Sequence, residues 1–167
     1  MSTPSDEIGG VSELVLGSAY QRIIKLAGPP PGNGLVVTVP GGVAWRLLML
    51  FSQLATSDVV GTRYPYLTIT DGTWEVCHLP VGITVTASSV VWLNWIADPG
   101  STLGSVAYFA VGPLPGRVLL MPGWSVLLSV LNMDVGDSLH HNAILVTEYR
   151  LGPPEPRQIV RDVPLVE

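Results

Sequence analysis

Glycine and proline interrupt the chain along its whole length, and their spacing limits which secondary structure it can form. Eighteen glycines and fifteen prolines make up about a fifth of the 167 residues. Proline cannot donate to a hydrogen-bonded ladder and glycine allows positive φ, so each cluster favours a turn. The short segments that remain between the clusters are typical of many strands joined by turns and are unfavourable for long helices.

Apolar and polar residues alternate within these short segments from residue 35 onward. Alternation with a period of two indicates strands that bury one face. No segment of helical period lies between them to serve as a crossover, so we expect antiparallel pairing. About eight strands predict an all-β fold, an antiparallel two-sheet β-sandwich that is jelly-roll-like. These strands are drawn from ten apolar runs, not every one of which need form a separate strand: 35–39, 43–56, 66–70, 74–78, 83–87, 90–96, 105–111, 117–121, 124–131 and 143–149.

The dipeptide Asp71-Gly72 lies between two alternating runs. An Asp-Gly pair in this position predicts a β-hairpin, because a type I′ turn needs positive φ at both central residues. We therefore expect the runs on either side of the dipeptide to be paired.

The two ends of the chain differ from the middle in composition. Residues 12–27 are ambiguous. Their apolar residues at helical spacing favour a helix, whereas Gly17 among them opposes one. We expect an N-terminal arm over residues 1–34, a β-sandwich domain over 35–150 and an extended, proline-rich C-terminal arm over 151–167.

Alternation also predicts which residues are buried. We expect the loop 132–137, at one end of the sandwich, to tolerate substitution much better than the core. The six residues predicted to lie in the core are Leu47, Leu67, Ile69, Val126, Leu128 and Val146.

Charge is sparse, at 13% of residues with a net charge of −5. The arginines are scattered and only Lys25 is a lysine, whereas nucleic-acid binding needs a clustered basic face. We therefore expect no nucleic-acid partner. A charge-poor surface favours contact with copies of the same chain or with another protein, and the alternative is a monomer covered with small polar residues.

Several features bear on the cellular compartment. Cys77 is the only cysteine, so no disulfide can form within the chain. The first residues lack the basic patch and apolar run of a secretion signal, and the apolar stretches are shorter than the roughly 20 residues of a membrane span. We expect folding in a cytoplasm and no membrane partner.

We find no residue pattern that predicts catalysis, a cofactor or a metal. His140 and His141 are adjacent on a strand and should point to opposite faces, so they cannot easily bind one ion together. A weak cation site that combines them with Asp134 and Asp137 is therefore less favoured than a solvent-exposed start of the strand. Cys77 fits a small core residue better than a reactive thiol. Glu75 and Glu148, the glutamates of the strand region, are expected to be solvated. The glycine clusters lack the following helix of a phosphate loop.

Five tryptophans against two phenylalanines are unusual, and they fit either buried contacts or rings that stack on sugars. Trp92 and Trp95 should face opposite sides of one strand, which leaves one of them outside the core. The C-terminal arm could lie on a neighbouring subunit, or its Pro-x-x-Pro spacing could bind an SH3-type domain. The candidate interface residues are Trp92, Trp95, Pro153, Pro154, Pro156 and Arg157.

Five segments between residues 43 and 149 together suggest a family: AWRLL at 44–48, TRYPYLTITDG at 62–72, LMPGW at 120–124, VGDS at 135–138 and ILVTEY at 144–149. Their order resembles small virion proteins of tailed bacteriophages, especially those of actinobacteria. The resemblance implies a β-sandwich structural protein of the virus particle, assembled in the host cytoplasm, with no catalytic residues to carry over.

From the resemblance and the sparse charge we expect a non-enzymatic capsid decoration protein. Its partners would be copies of itself in a symmetric oligomer, a trimer by analogy, and the major capsid protein or other virion proteins. The alternative is a neck or tail-fibre module that binds a host-surface carbohydrate through an exposed tryptophan.

Overall fold

A computed structural model describes residues 16–97, 105–106 and 108–152. These residues form eleven strands and no helix, which confirms the all-β prediction. The strands are β1 (Leu16–Leu26), β2 (Leu35–Thr38), β3 (Val43–Ala55), β4 (Tyr64–Thr70), β5 (Glu75–Pro80), β6 (Val90–Ala97), β7 (Ser105–Val106), β8 (Phe109–Leu114), β9 (Leu119–Leu120), β10 (Ser125–Leu131) and β11 (Ser138–Leu151).

The strands make two sheets. The larger sheet has the order β1-β11-β3-β6-β8-β7, and the short β9 pairs with β3 beside β6. The smaller sheet has the order β2-β10-β4-β5. Within the described ranges, no helix is long and apolar enough to cross a membrane.

Both sheets contribute to one hydrophobic core. Leu67 and Leu128 of the smaller sheet and Leu50, Leu93 and Ile144 of the larger sheet are at most 1% exposed and belong to the same cluster. All six residues that alternation placed in the core are buried there. The periodicity of two therefore identified the inner faces correctly.

A single extra residue in β3 changes which side chains face the core. Leu47 pairs with Val146 and Met49 pairs with Leu145, so Leu48 is an unpaired insertion in the ladder. The large buried residues before this bulge are Trp45 and Leu47, at odd numbers, although the small Ala44 is buried too; after the bulge the buried positions are even-numbered, from Leu50 onward. A bulge of this kind moves the following side chains to the other face of the strand.

The predicted hairpin at Asp71-Gly72 is confirmed, since β4 and β5 pair antiparallel on either side of it. The predicted type I′ turn is wrong. Gly72 has φ +96°, but Asp71 is not in the positive-φ region. The Asp71 carboxylate instead accepts the N–H groups of Thr73 (2.8 Å) and Trp74 (2.7 Å), which closes a longer loop over residues 71–74.

Two other predictions about strand pairing are wrong. β6 and β8 pair parallel, whereas antiparallel pairing was expected. A parallel connection requires length and not helicity, so a sequence without helical periodicity does not exclude one. Residues 83–87 form no strand, and Val85 makes only an isolated bridge to Arg63. The segment Asp98-Pro99-Gly100, whose composition is typical of a turn, lies outside the described residues.

Residues 16–26, where the sequence left helix and strand open, form β1 at the edge of the larger sheet. β1 thus lies inside the segment predicted as an N-terminal arm and pairs along β11. The expected C-terminal arm falls almost wholly outside the described residues. The division into two arms and one domain stays a prediction.

The loop before β11 is anchored by a buried ion pair between Arg63 and Asp137, which are 1% and 0% exposed. Arg63 binds both carboxylate oxygens, with Nε 2.9 Å from Oδ2 and Nη2 3.1 Å from Oδ1. The same guanidinium donates to the carbonyls of Val59 (2.8 Å) and Gly61 (3.0 Å). This corrects the expectation that the whole loop 132–137 tolerates substitution, because its last residue holds two loops together.

Burial by itself would raise the pKa of Asp137. The hydrogen bonds from Arg63 and from the backbone N–H groups of Asp134 and Ser57 all lower the pKa and together outweigh burial. The pKa therefore falls to about 2 from an ordinary 3.8. A carboxyl group with a lowered folded-state pKa stabilises the fold above its unfolded value. Its contribution is therefore present above a pH of about 3.8 and is lost as the pH falls toward about 2.

We expect Leu128→Ala to lower the free energy of unfolding by about 2–5 kcal/mol, because it leaves a cavity in the shared core. Equilibrium denaturation measures this loss. Leu131→Ala on the same strand is the matched control, since Leu131 is 57% exposed. Equal effects of the two substitutions would contradict the assignment of the buried face.

We expect Asp137→Asn to destabilise the protein strongly, because it leaves the buried Arg63 guanidinium without its anion. The matched control is Asp58→Asn, which removes the same charge from an exposed position nearby and should have little effect. Denaturation midpoints measured as the pH is lowered should show the gap between wild type and Asp137→Asn closing below a pH of about 3.8. A gap that does not depend on pH would contradict this role of the carboxylate.

Candidate functional site

The strands of the larger sheet carry a second apolar surface, on the side that faces away from the core. Side chains there alternate with buried neighbours such as Leu50, Leu93 and Ile144, so they point to the opposite side of the sheet. We call the part of this surface that extends from Ile23 and Leu145 to Trp92 and Phe109 the outer face; the next row beyond Ile23 and Leu145 carries Arg46 and lies outside it.

Strand register arranges the outer face in three rows that run across the sheet. Neighbouring members of a row are register partners on adjacent strands and lie within side-chain contact range. The first row is Ile23, Leu145, Met49, Ile96 and Pro113; the second is Lys25, Ala143, Phe51, Asn94 and Val111; the third is His140, Gln53, Trp92 and Phe109.

The outer face has almost no charge. Lys25, on the edge strand β1, is the one permanently charged side chain of the three rows, and the first row is wholly apolar. Ile23 is 70% exposed and Phe109 is 40% exposed. An exposed apolar surface of this kind indicates a contact site for another molecule.

Aromatic rings occupy one end of the outer face. The rings of Phe51 and Trp92 are stacked with centroids 5.1 Å apart, and the ring centroid of His141 lies 5.8 Å from that of Trp92. His141 has φ +49° at the point where the β11 register shifts. The bulge therefore brings His141 beside Trp92 and keeps that ring half-buried and fixed in position.

A polar side chain lies in the middle row. Asn94 is in register between Phe51 and Val111 and is only 4% exposed. Its Nδ2 has no hydrogen-bond partner within the part of the chain that the structure describes. A buried donor without a hydrogen bond lowers stability, so an apolar side chain would be favoured over Asn94 if this position only had to fill space.

The structure separates the two tryptophans of β6 as alternation predicts. Trp92 lies on the outer face, whereas Trp95 is fully buried in the core and donates from Nε1 to the carbonyl of Leu79 (3.1 Å). Trp95 is therefore removed from the candidate interface residues. Pro153, Pro154, Pro156 and Arg157 lie outside the described residues.

A second feature connects β1 to the rest of the larger sheet. Glu148 of β11 is 4% exposed, which corrects the expectation of a solvated glutamate. Its Oε1 accepts a hydrogen bond from the Tyr20 hydroxyl, and its Oε2 accepts one from Trp45 Nε1 (2.8 Å). Arg22 Nη1 lies 3.2 Å from Oε2. Two of the three donors belong to β1.

This environment keeps the carboxylate of Glu148 ionised. Burial raises its pKa, but the hydrogen bonds from Tyr20 and Trp45 and the charge of Arg22 outweigh burial, so the pKa lies below its ordinary 4.5. No local sequence pattern predicts this site, because its four residues come from three strands that are distant in the chain.

The other residues considered for chemistry are dispersed. Cys77 packs against the core, and burial raises the pKa of its thiol. Glu75 is exposed and lies 3.2 Å from His78. Among the described residues no three His, Cys, Asp or Glu side chains are grouped to hold a metal ion, and Asp137, once considered beside the histidines, instead binds Arg63.

Comparison of the chain with protein-family models, with curated proteins and with solved structures gives no match.

We expect Glu148→Gln to loosen β1 selectively, because the side-chain amide would place a donor against the donors of Tyr20 and Arg22. Hydrogen exchange should become faster at the β1 amides and stay unchanged in β10. Glu75→Gln is the matched control, at an exposed glutamate. In the wild type, the protection of β1 should be present above a pH of about 4.5 and decrease below it. Uniform acceleration across both sheets would contradict the specific role of Glu148.

Proposed function

We propose that the protein is a non-enzymatic structural component of a bacteriophage virion, a capsid decoration protein that binds the head shell as a symmetric oligomer. The observation that carries the proposal is the outer face, a nearly charge-free surface of half-exposed apolar side chains. The resemblance of residues 43–149 to small virion proteins supports the same assignment.

The size of the outer face suits a protein contact. Five strands about 4.8 Å apart, with three rows separated by about 6.8 Å along each strand, cover several hundred Å². A stable interface buries about 800 Å² on each partner. The outer face therefore supplies the apolar centre of such an interface, and surrounding polar side chains would form its rim.

The same proposal includes the finer architecture. We infer that the two sheets around the shared core are the layers of a jelly-roll-like β-sandwich. Support comes from the orders β1-β11-β3-β6-β8-β7 and β2-β10-β4-β5, in which most neighbours in space are not neighbours in sequence. A sandwich leaves the outward side of each layer available for contacts with other subunits.

Self-association and shell binding favour each other on a particle surface. Copies joined in a cyclic oligomer, a trimer by analogy, engage a repeating lattice at several points simultaneously. Weak contacts of each copy then add to a stable attachment. The proposed partners are other copies of this chain and the major capsid protein or another virion protein.

A carbohydrate-binding neck or tail-fibre module is the second candidate function. Two exposed rings favour it: Trp74 is 74% exposed in the loop between β4 and β5, and Trp92 is half-exposed on the outer face. Exposed tryptophan rings can stack on the apolar faces of sugars. Binding of host-surface glycan that Trp74→Ala or Trp92→Ala removes, without loss of self-association, would favour this function over shell decoration.

We expect the double substitution Ile23→Lys and Val111→Lys to abolish self-association and shell binding, because it places two charges in the outer face. Light scattering measures the oligomer, and cosedimentation with capsids that lack the protein measures shell binding. The matched control is Val36→Lys with Leu131→Lys, at exposed apolar residues of the smaller sheet. Full oligomer formation and shell binding by the outer-face variant would contradict the proposal.

A further inference from the structure

β1 pairs with one strand of the described chain, and Ile24 and Leu26 also pack against the core. Nine of its residues are in antiparallel register with β11, and it forms the edge of the larger sheet. A strand held in this way can leave its position without disturbing the other pairings of the sheet.

The position that β1 occupies favours a strand with two specific hydrogen-bond donors. Tyr20 and Arg22, two residues apart on one face of β1, both reach the carboxylate of Glu148. If β1 left, Trp45 would be the one remaining protein donor to this carboxylate among the contacts described above, and water would have to replace the other two. Another strand with the same donors would restore these charge-assisted hydrogen bonds, so the site favours such a strand in the place of β1.

The segment between β1 and β2 is suited to act as an extended spacer between β1 and the core. Residues 27–34 contain three consecutive prolines, Pro29 to Pro31, which have no N–H and favour an extended conformation. Gly32, with φ +77°, fixes the far end of this segment by donating its N–H to the carbonyl of Asp137 (2.8 Å). The five residues 27–31 can span about 15 Å when extended. β1 is thus connected to the core by a stiff spacer that ends at a fixed point.

We propose that copies of the protein exchange β1, so that β1 of one copy pairs with β11 of the next and its Tyr20 and Arg22 bind the Glu148 of that copy. This inference rests on the self-association in the proposed function and identifies its partner surface. A second copy is the occupant because it presents the same backbone register and the same two donors. Exchange of identical elements conserves every contact, so its cost is low.

Cysteine pairs placed across the β1–β11 register test the exchange. Gln21 and Thr147 are register partners on the side of the sheet away from Glu148. Two chains are made in a Cys77→Ser background, one with Gln21→Cys and the other with Thr147→Cys, and they carry tags of different length so that they can be told apart. They are produced together and oxidised. Exchange predicts that the main covalent product contains one chain of each kind. Its band shifts from the mass of one chain to the mass of two.

A matched pair inside the remaining sheet is the control. Gln53 and His140 are register partners on β3 and β11, and neither strand takes part in the exchange. Single-cysteine chains at these two positions should give no mixed covalent product, whereas a chain that carries both cysteines should form an internal disulfide.

Light scattering on the same samples separates failure of the exchange from failure of the proposed self-association. An oligomer with the mixed Gln21–Thr147 product supports the exchange. An oligomer in which a chain carrying both cysteines forms only an internal disulfide overturns the exchange and leaves self-association intact. A monomer with an internal disulfide overturns both.

Discussion

The pairing of β3 with β11 is the interaction on which the rest of the structure depends. These are the two longest strands, of 13 and 14 residues, and they pair along most of their length. β11 holds β1 on its other side, and β3 holds β6 and β9, so every further strand of the larger sheet is attached to this pair directly or through β6. The bulge at Leu48 and the shift beside His141 then decide which side chains reach the core and which reach the outer face.

Two buried carboxylates join segments that the sheets alone would leave apart. Asp137 receives Arg63 and links the loop before β11 to the segment before β4. Glu148 receives donors from β1 and β3 and links the edge strand to the centre of the larger sheet. Both are stable when ionised because each has more than one donor, and both lose that stabilisation in acid. Removing a single donor in either site therefore affects structure far from the altered residue.

The sequence predicted local features well and distant pairings poorly. Alternation identified the six core residues and the opposite faces of Trp92 and Trp95, because a period of two reports directly on one strand. It failed for the parallel pair β6–β8 and for the buried states of Asp137 and Glu148, whose partners lie many residues away. The outer face could not be recognised either, since apolar side chains on both faces of a strand are typical of a fully buried strand.

The pairing of β1 with β11 also has a consequence for synthesis of the chain. The first described strand finds its partner in the last one, with Leu26 beside Asn142 and Leu16 beside Leu151. A ribosome releases β1 about 110 residues before it begins β11, so β1 waits unpaired while the strands between them are made. Contacts of such long sequence separation also make folding slow. Chains growing side by side on one messenger would therefore present unpaired β1 strands to finished neighbours.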